Sequence, residues 1–395
     1  MNNIILLKRL LQSRPLQNLL AVTVMAVSIA AAVSIMLLAE GLHNGLVQAA
    51  RPFPMVMGSR GSSNQLVLNT VFMQDQPAAN FDYSQIERLR ADKNVAKAIP
   101  MGMGDNYRGH RIIGTEPEFF SLKREGLTGK NWLQLAEGRV FSLPYEAVLG
   151  AETARSAGLK VGDSFASVHG VISHKGGQSH GEKYKVVGIL KPVDGPYDSS
   201  ILVSLESLWW QHAHGSELHR EATAAVVVPA GYANALQLSA VYNKDRDVQM
   251  IFPSQKVIEL FSVMGNAEKI LQLFSAAVIV LALVITGSSL YWFVNGSRRE
   301  QAVMRALGAS AAGIMQIYFR LGMLMVLCGT AAGLLLGHGV FWACGVLLQG
   351  RTSICLSSGF LPGEALLVAL VLSVGALFSL LPAKISSGRD IVEDL

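Results

Sequence analysis

The residues best able to do chemistry are six histidines in two short segments. His169, His174 and His180 fall in HGVISHKGGQSHGEK; His212, His214 and His219 fall in QHAHGSELH, directly after Trp209 and Trp210. Neutral imidazole is the commonest nitrogen ligand for Zn²⁺ and related ions, and such sites often add a carboxylate. Glu182 and Glu217 stand inside the same segments. Neither spacing is that of a structural zinc motif, and flexible polar loops collect histidine without binding anything. The six residues are therefore metal-ligand candidates, with zinc as the ion they fit. Catalysis has less to work with. There is no HExxH, and the three cysteines, Cys328, Cys344 and Cys355, lie far from the histidines and imply no disulfide framework. No GxxxxGK[ST] loop occurs, so the chain does not bind ATP in the Walker manner.

A second segment, RREQAVMRALGAS (Arg298–Ser310), is basic and helix-forming and lies between two long apolar runs. Gly308 supplies a helix stop and Ser310 an N-cap for the helix that follows. The arginines mark the segment as cytoplasmic. A short helix with a fixed exit, held at the membrane surface, suits contact with a soluble partner, although a basic loop that only sets topology has the same composition.

The elements that must position these groups follow from hydropathy. Only 15% of the 395 residues are charged, against about 25% in a soluble protein, so parts of the chain are in lipid. The net charge of +5 is spread beside apolar runs rather than gathered into a basic tract. It therefore signals membrane orientation, not nucleic acid. Residues 1–15, with Lys8 and Arg9, read as an interfacial helix on the inner leaflet. No charge occurs between Arg14 and Glu40. That run is longer than the roughly 7–15 residues of a signal-peptide core, so 16–40 is a retained transmembrane helix.

From 41 to 269 the character becomes that of an α+β domain. Strand-like runs include Arg111–Thr115, Glu146–Gly150, Lys185–Leu190, Ile201–Leu205 and Ala224–Pro229, with helices at Tyr83–Arg90, Ala151–Ala157 and Gly231–Lys244. Helical periodicity resumes at Ser254–Asn266 and runs into a span at about 270–295; further spans lie at about 318–348 and 364–382, with a tail carrying Lys384 and Arg389. Four helices, one before the domain and three after it, place both termini inside and the domain outside. Gly329, Gly333 and Gly337 repeat the small-xxx-small spacing of close helix contacts, either within one protomer or at a dimer seam. His338 is a polar residue within a span, expected to bond to a neighbouring helix, while Arg320 and Glu364 read as interfacial anchors.

RREQAVMRALGAS resembles the cytoplasmic signature of FtsX-like permeases, the membrane subunits of the MacB and lipoprotein-releasing class of ABC transporters. Arg298, Arg299, Glu300, Ala302, Val303, Arg305, Ala306, Leu307, Gly308 and Ala309 match; Gln301 departs, where Ile is common. AVLGAETARSAGLKVGDSF (Ala147–Phe165) and MGSRGSSNQLVLN near Met57 are similar to MacB-like periplasmic segments. The resemblance implies an α-helical membrane protein with four transmembrane helices in a 1+3 plan, a large α+β periplasmic domain (41–269) inserted after helix 1, and an FtsX-like domain (270–395). It implies a permease of the bacterial inner membrane, working as a homodimer on a separate ABC ATPase that carries the ATP and Mg. The ATPase contact falls on a coupling helix at 298–309, through Arg298, Arg299, Glu300, Arg305, Ala306, Leu307 and Gly308. The motion is relayed outward by mechanotransmission for export or extraction, with a periplasmic adaptor or substrate-binding protein as a further partner beside membrane lipid. The alternative within the same family is a signalling scaffold that controls a periplasmic hydrolase or sensor without transport.

Overall fold

Long charge-free runs become helices because a backbone in lipid must satisfy its own polar groups. This computed structural model describes residues 9–10, 12–125, 128–170, 179–213, 219–296, 298–306, 308–352, 356 and 359–387. After a bend at Arg14, helix α1 runs Pro15–Ala50. Its opening proline gives up an N–H that the first turn would leave unpaired anyway. Most of the interfacial helix expected at 1–15 lies outside the described residues.

Next come β1 (Met55–Ser59), α2 (Ser63–Thr70), β2 (Phe81–Asp82), α3 (Ser84–Ala91), β3 (Val95–Tyr107) and β4 (His110–Thr115). Ser62 caps α2 through the Gln65 N–H, and Asp82 accepts from the Ser84 N–H as α3 begins. Beyond a 3-10 turn at Pro117–Ser121 lie β5 (Lys123–Glu125), β6 (Thr128–Asn131), β7 (Leu135–Gly138), β8 (Glu146–Leu149), α4 (Ala151–Ala157), β9 (Ser164–His169) and β10 (Ser179–Leu190). Gly158 ends α4 at φ +69°, the left-handed conformation that glycine adopts without steric cost. The domain finishes with β11 (Ser200–Ser204), α5 (Leu205–Gln211), β12 (Glu221–Ala222), β13 (Ala224–Pro229), α6 (Tyr232–Tyr242) and β14 (Val248–Ile251). Then follow α7 (Pro253–Gly296), α8 (Arg298–Ala306), α9 (Ala311–Thr352) and α10 (Pro362–Ser387).

Among the described residues, four segments are long and apolar enough to cross a membrane: Pro15–Ala50, Lys269–Gly296, Ala311–Leu347 and Pro362–Leu380. The helices overrun the charge-free stretches, since α1 continues past 40 and α7 starts at Pro253 rather than near 270. Charge excludes a residue from lipid, but it does not end a helix. The chain forms two compact units, one of Met1–Leu42, Met264–Val346 and Ser357–Leu395, the other of His43–Val263 and Leu347–Leu356.

In the second unit the main sheet runs β14-β1-β13-β3-β4-β11-β8-β10-β7, with β9 paired to both β10 and β3. That double pairing closes β3, β4, β11, β8, β10 and β9 into a ring. Ile112, Ala147, Leu149, Phe165, Tyr184, Val186, Ile201 and Val203, all from ring strands, form one buried cluster. The open part of the sheet buries a second cluster that includes Met55, Met57, Ala225, Val227, Leu238 and Met250. β3 belongs to both parts. Its first half pairs with β13, its second half with β9, and a β-bulge between Met103 and Asp105 marks the change in its pairing with β4.

Candidate functional site

Asp105 follows that bulge and is the direct register partner of His169, the last residue of β9. Residues opposite each other on antiparallel strands have Cβ atoms about 4.5–5.5 Å apart, close enough for their side chains to meet. His212 arrives from another direction, as the residue that ends α5, its N–H bonded to the Leu208 carbonyl. Asp105 Oδ1 lies 3.5 Å from His169 Nδ1 and 3.2 Å from His212 Nε2. One ligand atom from each of the three residues lies within 4.8 Å of the others. The imidazole centroids are 4.8 Å apart with the rings tilted by 43°. Asp105 is fully buried, whereas the side chains of His169 and His212 are 62% and 31% exposed.

Behind the carboxylate stands a polar chain. The Ser167 hydroxyl lies 3.4 Å from Asp105 Oδ2 and 3.1 Å from Gln211 Oε1, and its one proton serves one of them at a time. Tyr184 donates to the same Gln211 oxygen at 3.0 Å. Burial, aided by the negative charge of Asp105, pushes the Tyr184 phenol far above its ordinary range. It therefore remains a donor and keeps Gln211 in place. In front, His169, His212 and His219 line a cleft of about 410 Å³, with Trp209 and Met103 among its walls.

Of the six histidines singled out by sequence, His169 and His212 come together, and exposed His219 shares their cleft. His169 and His180 lie on strands β9 and β10, not in a loop. His174 and His214 fall outside the described residues, as does Glu217; Glu182 is exposed on β10. The letters GQSHG at 177–181 spell a nucleophile elbow, yet Ser179 is in β10 rather than at a strand-to-helix turn. Asp105 was hidden from sequence reading, because MGMGDNY carries no ligand spacing.

The basic segment forms α8. The Gly308 N–H bonds to the Arg305 carbonyl and the Ala309 N–H to the Met304 carbonyl, with Gly308 at φ +92°. This is a Schellman exit. Ser310 then accepts from the Gly313 N–H at the start of α9. Gln301 is buried, and its Nε2 donates to the Val294 carbonyl of α7 at 2.7 Å and to the Tyr318 hydroxyl of α9 at 3.2 Å. The residue that departs from the family pattern thus ties α8 to the helices on both sides. Arg305 is half-buried and Ala306 and Gly308 are exposed; Arg298, Arg299 and Glu300 open α8, and Leu307 lies outside the described residues.

Gly329, Gly333 and Gly337 face α1 of the same chain. A Cβ on them would come within 2.7 Å of Met25 Cβ, 2.7 Å of Ile29 Cβ and 2.9 Å of Val33 Cβ respectively. His338 Nε2 meets Glu364 Oε2 at 3.0 Å, so Glu364 is fully buried in a bond between α9 and α10 rather than set as an interfacial anchor.

One long apolar helix, a large α+β domain, then three apolar helices with a short basic helix between the first two define a multi-helix membrane protein with an inserted domain. Residues 19–243 match the profile of the MacB-like periplasmic core domain, and residues 272–389 match that of the FtsX-like permease C-terminal domain. The chain belongs to the MacB/FtsX-like family of ABC transporter permeases. Permeases of this family are membrane-embedded, usually non-catalytic, and work with a cytoplasmic ABC ATPase. Among solved structures, the extracellular domain of the noncanonic ABC-type transporter YknZ from Gram-positive bacteria is 14% identical, covering 50% of this chain and 98% of that one, with a TM-score of 0.33. The periplasmic region of MacB from Actinobacillus actinomycetemcomitans is 10% identical, covering 54% and 95%, with a TM-score of 0.34. No curated protein matches.

Proposed function

We propose that this chain is the permease subunit through which a separate cytoplasmic ATPase drives movement of the α+β domain for substrate export or extraction. The observation that carries the reading is the bracing of α8. A contact helix passes on force only if it is fixed to what it must move. Gln301 bonds α8 to α7 and α9 at once, and the Gly308 turn sets the direction in which the chain leaves it. α7 is one helix of 44 residues, the extended element that such a relay needs.

In this reading ATP and Mg²⁺ bind the partner, and Arg298, Arg299, Glu300, Arg305, Ala306, Leu307 and Gly308 provide its docking surface. Two copies of the permease sit on two ATPases in the bacterial inner membrane. The arginines of α8 hold it on the cytoplasmic side and the α+β domain lies in the periplasm. An adaptor or substrate-binding protein there would complete the complex.

The test reconstitutes the full chain with its ABC ATPase in lipid nanodiscs and compares Arg305→Glu with wild type. The expected result is an intact complex fold with loss of permease-dependent stimulation of ATP hydrolysis. Stimulation equal to wild type in the variant would overturn the contact.

A further inference from the structure

We infer that Asp105, His169 and His212 form a binding site for an exchangeable divalent transition-metal ion of the zinc class. The site is independent of the coupling argument, since it involves only the α+β domain.

The donor set comes first. Two imidazoles and one carboxylate suit Zn²⁺, Co²⁺, Ni²⁺ or Cu²⁺, whereas Ca²⁺ and Mg²⁺ require shells built of oxygen. Spacing comes second. Ligands about 2.0–2.1 Å from a tetrahedral zinc ion lie about 3.3 Å from one another. The two edges from Asp105 Oδ1 measure 3.2 and 3.5 Å. A charge-assisted hydrogen bond from an imidazolium would draw the atoms closer, to about 2.7–2.9 Å. His169 Nδ1, at 3.5 Å, stands beyond the ordinary N–H···O length, and His212 Nε2, at 3.2 Å, sits at its upper end, so both distances suit ligands that share one ion.

Burial comes third. A carboxylate with no exposed surface is costly to ionise without a cation close by. Here the buried oxygen points toward two partly exposed imidazoles, so an ion has a route in from the cleft. The scaffold is also fixed: the β3–β9 register sets Asp105 against His169, the end of α5 sets His212, and the Ser167–Gln211–Tyr184 chain backs the carboxylate. Such outer partners hold ligands in orientation at metal sites. Three protein ligands leave a fourth position for water, cargo or His219. The open fourth position sets it apart from closed four-ligand structural zinc sites and leaves the ion accessible from the cleft.

The experiment uses the full chain in detergent, stripped by chelator. Co²⁺ is titrated while its visible d–d bands are followed, and Zn²⁺ is then titrated in competition with a chromophoric chelator. The expected result is a single tight equivalent with cobalt bands of a four- or five-coordinate nitrogen–oxygen site. His169→Ala, His212→Ala and Asp105→Asn should each weaken binding by at least about tenfold, and Ser167→Ala by about 10–100-fold. His110→Ala, whose ring contacts Thr153, Ser156 and Ser199, should leave binding unchanged. Because His169 is largely exposed, its variant should fold even where Asp105→Asn does not; circular dichroism checks both. Wild-type binding no tighter than roughly millimolar overturns the proposal. So does equal affinity in the His169→Ala/His212→Ala double variant, or a loss found only when His174, His180 and His214 are changed.

Discussion

Asp105 in the α+β unit and Glu364 in the helical unit are both fully buried and both face histidine, yet they are held in different ways. Glu364 sits in the first turn of α10, where negative charge is favoured by the helix dipole. Its Oε1 accepts from the Leu361 N–H at 3.0 Å, and its Oε2 meets His338 at 3.0 Å. Both contacts have ordinary hydrogen-bond lengths, so the carboxylate closes a helix end and joins two helices. Asp105 instead turns one oxygen to two imidazoles at longer range, on a bulge that opens to a cleft. Burial alone therefore does not mark a reactive carboxylate. The number, spacing and accessibility of the facing donors do.

The sharpest way to break this comparison is to neutralise both acids. Asp105→Asn should abolish stoichiometric Co²⁺ binding, while Glu364→Gln should leave it intact and lower only the thermal stability of the detergent-solubilised chain. Metal binding lost in both, or in neither, would remove the distinction. The next largest effect concerns how the helical unit is held. Gly333→Leu drives a side chain into Ile29 and the Ala26 carbonyl, 2.7 and 2.8 Å from its Cβ. It should cost about 1–3 kcal/mol, as overpacking does. Gly339→Leu has nothing within 4 Å of its Cβ and should change the melting temperature little.

Glu146 gives a third, smaller contrast within the α+β unit. It accepts from Arg139 and from the Ser142 and Leu143 N–H groups, and these bonds, Arg139 first, lower its pKa from 4.5 to about 2. A depressed carboxylate stabilises the fold above its unfolded pKa and loses that contribution as pH falls. Glu146→Gln should thus cost about 1–3 kcal/mol at neutral pH and flatten the acid limb of stability between pH 4.5 and about 2. Equal acid limbs in variant and wild type would refute the assignment. A modest stability change is expected for Gln301→Ile, roughly 1 kcal/mol for the lost bonds to Val294 and Tyr318. Its effect should appear mainly as weaker stimulation of ATP hydrolysis, and unchanged stimulation would deny Gln301 a bracing role.

Much of the fold was legible because local signals agreed with tertiary demands. AAVVVP forms β13 over the residues expected, Ala151–Ala157 forms α4 ending at Gly158, and the Gly308 stop and Ser310 cap fall where their side chains predict. β3 was not legible. Pro100, three glycines or acids and Lys97 interrupt its alternation, and it is a strand because β13, β4 and β9 pair along its edges. One of the three candidate ligands went unseen for the same reason. Histidine is conspicuous in sequence, but Asp105 reaches His169 only through sheet topology, and nothing local in MGMGDNY announces it. Gln301 likewise read as a mismatch, since its partners lie on two other helices.

Among the described residues β3 and β9 share two register pairs, Asp105 with His169 and Asn106 with Val168, and this short overlap is what makes the strands a closed ring. A hoop gives way first where its ends overlap least. The two donors that face each other there come from opposite ends of the hoop, so an ion bound between them, as proposed above, would act as a clasp. Fastened, the ring would resist opening between β3 and β9; unfastened, it could part along that line. The supply of a trace cation would then be converted into mechanical compliance of this ring.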